Sequence, residues 1–138
     1  MPITHKVIVL TSVLLFSCNQ NNSQAKFYKA ISENKLDSAT LKINYQENSF
    51  FGDYIIHYAN NTKDSGNITG KIYGDTLKGK YRYIGRNGLH KIKPIVLLKD
   101  NNNLKLGDGT ISTYMDIPFY ANGSIQFKDS LFLFKEVN

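Results

Sequence analysis

From Lys26 to the C-terminus, apolar and polar residues alternate with a period of two, and clusters of Gly, Asn, Asp and Ser interrupt them every eight to twelve positions. Successive side chains of a strand point to opposite faces, so this pattern predicts an antiparallel all-β domain. The strands are expected near 26–32, 38–46, 50–59, 65–73, 76–85, 90–99, 102–107, 123–128 and 130–136. Ala39, Leu41, Ile43 and Tyr45 form one apolar face, with Thr40, Lys42 and Asn44 opposite. Leu77, Gly79, Tyr81 and Tyr83 form another, with Lys78, Lys80 and Arg82 opposite. Tyr54-Ile55-Ile56-His57-Tyr58 is apolar on both faces, as expected of a central or partly covered strand. Gly74-Asp75 predicts a tight two-residue turn, because a positive φ costs glycine nothing. Residues 60–66, 85–88 and 100–103 read as further turns. The stretch from Gly107 to Pro118 fits a loop, an irregular strand or a lid, and Ala25 to Lys35 fits either a short helix or the first strand. Eight to nine short consecutive strands must hide their edges, so an up-and-down barrel or a β-sandwich is expected.

The N-terminus follows a different pattern. Lys6 precedes the run Val7 to Phe16, which is too short to cross about 30 Å of hydrocarbon as a helix. It matches the central region of a secretory signal. Leu15-Phe16-Ser17-Cys18 and the polar stretch after it resemble a bacterial lipoprotein signal with its lipobox. Leu15, Ser17 and Cys18 match that pattern, while Phe16 is bulkier than the usual residue. The resemblance implies cleavage before Cys18 and diacylglyceryl transfer to its thiol. Two acyl chains suffice for stable anchoring. The expected organisation is a signal peptide over 1–17, a flexible tether over 18–25 and a single all-β domain over 26–138. No acidic residue directly follows Cys18. In related bacteria such acids route lipoproteins to the surface, so an outer-membrane location facing the periplasm is expected.

The run Gly66-Asn67-Ile68-Thr69-Gly70 through Gly74-Asp75-Thr76-Leu77 to Tyr81-Arg82-Tyr83 resembles a recurring core of small uncharacterised lipoproteins of Bacteroidetes bacteria. The likeness spans most of residues 26–138, and its distinctive part is the Gly-Asp-Thr-Leu hairpin. This sequence departs at Lys93-Pro94, where that pattern often has Arg-Glu. The meander is also similar to lipocalin-like and avidin-like barrels, a likeness of fold alone. Asp37-Ser38-Ala39, Asp75-Thr76-Leu77 and Asp129-Ser130-Leu131 resemble the O-glycosylation signal of exported Bacteroidetes proteins, which marks Ser38, Thr76 and Ser130. Asp-Ser and Asp-Thr are also what a turn entering a strand contains.

Composition narrows the chemistry. The chain has 41% hydrophobic and 20% charged residues, nine Tyr, eight Phe, no Trp and one Cys. A lone Cys excludes an intramolecular disulfide and a cysteine-based zinc site. No Gly-rich phosphate loop, serine elbow or His pair at ligand spacing occurs, so no catalytic residue, metal or cofactor is expected. His57 and His90 lie on different expected strands. Asp100 opens a calcium-like run but lacks the required Gly and Glu. The net charge is +6, and between Lys71 and Lys93 seven basic residues meet one acid, Asp75. Lys78, Lys80 and Arg82 share a strand face suited to anionic headgroups or glycans, with Lys71, Lys91 and Lys93 on neighbouring strands. Nucleic acid is not an expected partner behind an export signal. Tyr54, Tyr58, Tyr81 and Tyr83 offer apolar bodies with hydrogen-bonding tips, suited either to a ligand cavity or to the core. The expected role is therefore a lipid-anchored envelope protein that binds a small ligand or glycan without catalysis, or one that supports an envelope complex.

Overall fold

Eight antiparallel strands close on themselves in a computed structural model that describes residues 24–128 and 131–138. They are β1 (Lys26–Ile31), β2 (Ser38–Gln46), β3 (Ser49–His57), β4 (Lys63–Tyr73), β5 (Thr76–Ile84), β6 (His90–Asp100), β7 (Asn103–Leu106) and, after an inserted hairpin of β8 (Ile111–Tyr114) and β9 (Ile117–Tyr120), β10 (Leu133–Val137). Each of β1 to β6 pairs with the next, β7 pairs with β10, and β10 returns to β1. Closure leaves the barrel without an unpaired edge strand, the hazard of a sheet built from short strands. The fold is thus an up-and-down meander barrel and not a sandwich. The expected signal peptide, Cys18 and most of the expected tether, with Asp129 and Ser130, lie outside the described residues.

The alternation in the sequence becomes an inside and an outside. Tyr28, Leu41, Ile43, Phe50, Tyr54, Ile68, Leu77, Tyr81, Leu97, Leu104 and Phe134 fill the interior. The barrel is therefore packed with side chains, as its small strand number allows. The predicted turn at Gly74-Asp75 joins the pair Tyr73–Thr76, with Gly74 at φ 58°. A positive φ at the first central residue gives the strand ends the twist a two-residue hairpin needs. The turn over 100–103 is also formed, with Asn101 at φ 56°. Residues 26–31 form a strand and not a helix, and β4 starts at Lys63 rather than Ser65.

Two expectations fail in the segment between β7 and β10. The ambiguous stretch after Gly107 contains the β8–β9 hairpin. The strand expected over 123–128 is only an extended run with one bridge, Asp108 to Gln126. In the barrel order β7 pairs directly with β10, and the run lies outside that order. The last strand runs from Leu133 rather than from 130.

The same segment breaks the regularity of the wall. Only the second half of β6, Leu97 to Asp100, pairs with β7. Gly107 N–H then donates to Val96 C=O at 2.9 Å, and the ladder stops. A Cβ at Gly107 would stand 2.6 Å from Val96 Cγ1 and 2.7 Å from a Phe127 ring carbon, so this crossing requires glycine. Backbone groups of alternate residues face alternate neighbours, which turns Pro94 toward the same unpaired side as Val96. Proline has no N–H to leave unsatisfied there. Strand β9 packs across β6 at this window.

Candidate functional site

The four tyrosines and the three cations singled out in the sequence lie on opposite faces of the wall. Tyr81 and Tyr83 point inward from β5, while Lys78, Lys80 and Arg82 point outward from it. This follows from strand parity, and it defines two regions with different chemistry.

The outer region is a groove of about 790 Å³ between the basic face and the inserted hairpin. Lys71 on β4 and Lys78, Lys80 and Arg82 on β5 line one wall. Ile117, Pro118, Phe119, Tyr120 and Ile125 line the other, with no carboxylate among the lining residues. Lys71 and Lys78 are directly paired across the two strands, an arrangement in which like charges destabilise a sheet. Among the described residues, the ion pairs lie elsewhere, between Lys26 and Glu136 and between Lys105 and Asp100. Lys78 Nζ rests 5.9 Å from the centroid of the Tyr73 ring. A basic wall facing an apolar wall suits a ligand that is anionic on one side and apolar on the other.

The inner region is an aromatic and charged cluster at the barrel end where β4 begins. The Tyr81 and Tyr83 rings stack at 4.4 Å and 8°. Tyr54 lies 4.7 Å from Tyr81 and meets Phe134 edge-on. Tyr81 donates its hydroxyl proton to Tyr54 C=O at 3.0 Å. Asp64, only 7% exposed, accepts from Tyr58 Oη–H and from Arg86 N–H, both at 2.8 Å. The Arg86 guanidinium covers the Tyr58 ring at 4.5 Å. Burial raises the Tyr58 and Tyr81 hydroxyl pKa values, and the Asp64 charge raises them further. The four tyrosines therefore belong mostly to the packed end of the core.

Lys93 is the residue that the basic-face reading misplaced. It pairs with Tyr81 across β5–β6, and so points inward with Ile95 and Leu97. Its Nζ stands 5.5 Å from the centroids of both Tyr81 and Tyr83. Its parity with Ile95 and Leu97 was visible in the sequence, but a lysine in a basic run was read as part of the exposed face. Lys91 also shares this inner parity, but it lies at the exposed strand end.

The other candidates stay apart. His57 ends β3 and His90 begins β6, with β4 and β5 between them. No group of three metal-ligating side chains forms among the described residues. Ser38 and Thr76 open β2 and β5 and are half-buried. Asp37 Oδ1 accepts from Ala59 N–H at 3.0 Å, which gives that Asp-Ser pair a structural task. No family model, curated protein or solved structure matches the chain.

Proposed function

We propose that this protein is an exported, lipid-anchored envelope protein whose β-barrel binds an anionic ligand without catalysing a reaction. The observation that carries the reading is the outer groove, where four cations face an apolar hairpin and no acid lines either wall. A ligand with phosphate, sulfate or carboxylate groups, either a small amphiphile or an envelope glycan, would relieve the repulsion between Lys71 and Lys78. The signal-like N-terminus and Cys18 support placement at a bacterial membrane, and the outer membrane facing the periplasm is the location proposed. The test is binding of purified lipopolysaccharide by the soluble domain and by a variant with Lys78→Gln, Lys80→Gln and Arg82→Gln. Two exposed charges and one half-buried one, at roughly 0.5–1 kcal/mol each, imply a loss of affinity of about tenfold to a hundredfold. Raised salt should weaken wild-type binding in parallel. Equal affinity of the two proteins at low salt would remove the basis of this reading.

A second reading rests on the hairpin. Tyr114 and Met115 at its tip are 71% and 78% exposed, and Ile111, Ile117 and Phe119 are exposed beside them. An exposed apolar patch of this kind suits a lipoprotein that docks on another envelope protein. Substituting Tyr114 and Met115 with Ser should then abolish co-purification of a partner from native membranes. It should leave lipopolysaccharide binding unchanged.

A further inference from the structure

The barrel window beside β6 encloses a second, smaller cavity of about 210 Å³, separate in character from the outer groove. Its walls include the apolar side chains of Ile95, Leu106 and Leu131, together with Tyr54, Lys93 and Tyr120. Tyr54 is 1% exposed, and its hydroxyl has no hydrogen-bond partner among the described residues. A buried hydroxyl without a partner is costly, and such groups in folded proteins ordinarily find one. Lys93 supplies an ammonium group on the same cavity. Burial holds its pKa below the usual lysine value, with Asp64 and Asp108 pulling the other way. Neither acid forms an ion pair with it among the described residues. Asp64 accepts from Tyr58 and Arg86, and Asp108, exposed on the cavity wall, accepts from Gly109 N–H at 2.8 Å.

We propose that this window cavity is a binding site for a small monocarboxylate, with its acid group between Tyr54 Oη and Lys93 Nζ and its apolar body against Ile95, Leu106 and Leu131. A carboxylate supplies what both groups lack. One oxygen accepts the Tyr54 hydroxyl proton, and the negative charge offsets the buried ammonium, which raises the strength of both hydrogen bonds. The volume admits a compact acid of the size of benzoate and excludes a glycan. The proposal rests on the reading of the chain as a binding protein; Ile95 and Tyr120 line both cavities, but none of the four groove cations lines this one.

The test is titration of the folded domain with benzoate, with benzamide as the uncharged isostere, followed by calorimetry and by thermal melting. Tyr54→Phe removes only the hydroxyl, and Lys93→Met keeps the aliphatic stem without the charge. Benzoate should bind and raise the melting temperature, benzamide should bind more weakly, and each variant should weaken benzoate by about tenfold or more. Both variants should melt at or above the wild-type temperature without ligand, since each removes a poorly partnered buried group. The variant with Lys78→Gln, Lys80→Gln and Arg82→Gln should bind benzoate as wild type does. That arm separates failure here from failure of the groove reading, because loss of benzoate there would move the anion to the outer groove and overturn the window site. Absence of benzoate binding, wild-type benzoate affinity in the Tyr54→Phe and Lys93→Met variants, or a crystal structure with only water at Tyr54 Oη in saturating benzoate would each overturn it as well.

Discussion

Asp64 shows how one residue can hold a barrel end together. It is buried on β4, and its two oxygens accept hydrogen bonds from the Tyr58 hydroxyl and the Arg86 backbone N–H, which join the β3–β4 and β5–β6 turns. Asp64→Ala should destabilise the domain by about 1–3 kcal/mol, the usual cost of leaving such partners unpaired. Denaturant titration measures this directly, and an unchanged midpoint would mean that water replaces the carboxylate. Gly74 carries a different burden. A side chain there would meet open space, so only its φ of 58° requires glycine. Gly74→Val should therefore cost about 1–2 kcal/mol or more through backbone strain alone. Denaturant titration of this variant checks it, and an unchanged midpoint would count against a turn that needs glycine. The turn glycine was legible from its place between two alternating runs. The contacts of Asp64 were not, because they join residues 6 and 22 positions away in sequence.

At the scale of elements, the barrel strands were legible and the inserted hairpin was not. Strands β2 and β5 alternate cleanly because one face is core and the other is solvent. The β8–β9 hairpin lacks that contrast, and its turn carries none of the usual signals. Met115 and Asp116 occupy φ of 48° and 61° where Asn-Gly is the favoured pair. Replacing them together, as Met115→Asn with Asp116→Gly, should stabilise the hairpin by about 0.5–2 kcal/mol. Amide hydrogen exchange over 111–120 checks this, with slower exchange expected in the variant. A loss of protection would show that the strained turn has contacts worth more than its strain. Residues 123–128 failed for the opposite reason. Their alternation is strand-like, but the run makes a single bridge, Gln126 to Asp108, and takes no place in the barrel order, where β7 pairs directly with β10.

At the scale of the molecule, the aromatic interior couples folding to alkaline pH. Burial raises the hydroxyl pKa of Tyr28, Tyr45, Tyr54, Tyr58, Tyr81, Tyr83 and Tyr120, the last to about 12. A folded-state pKa above the unfolded value of about 10 means that the folded state keeps protons the unfolded chain releases. Stability from these groups is complete below pH 10 and is lost as pH rises through the folded values. Lys93 acts in the other sense, since its lowered pKa makes stability rise with pH below about 10.5, but it is one group against seven. The domain should therefore unfold cooperatively above about pH 10, with most phenolate absorbance appearing in step with loss of circular dichroism. Phenolate formation by these seven residues at the ordinary tyrosine pH, without unfolding, would contradict the packed interior. The proposed anchor is tested on the same scale. Cys18→Ser should move the protein from the membrane to the soluble fraction, and retention at wild-type levels would remove the lipoprotein reading.

The sequence alone determined the all-β class, the inward faces of β2 and β5 and the tight hairpin at Gly74-Asp75. It did so because burial repeats with the two-residue period of a strand and because turns need particular backbone conformations. Only the tertiary structure decided that the strands close as a barrel, that the Lys93 ammonium sits against Tyr81 and Tyr83 and that a hairpin covers the basic face. Those outcomes depend on which distant strands pair and how far each pair extends. Strand β6 outruns β7, so the hairpin and the two cavities occupy what the ladder leaves open. No local pattern of residues encodes that difference in length.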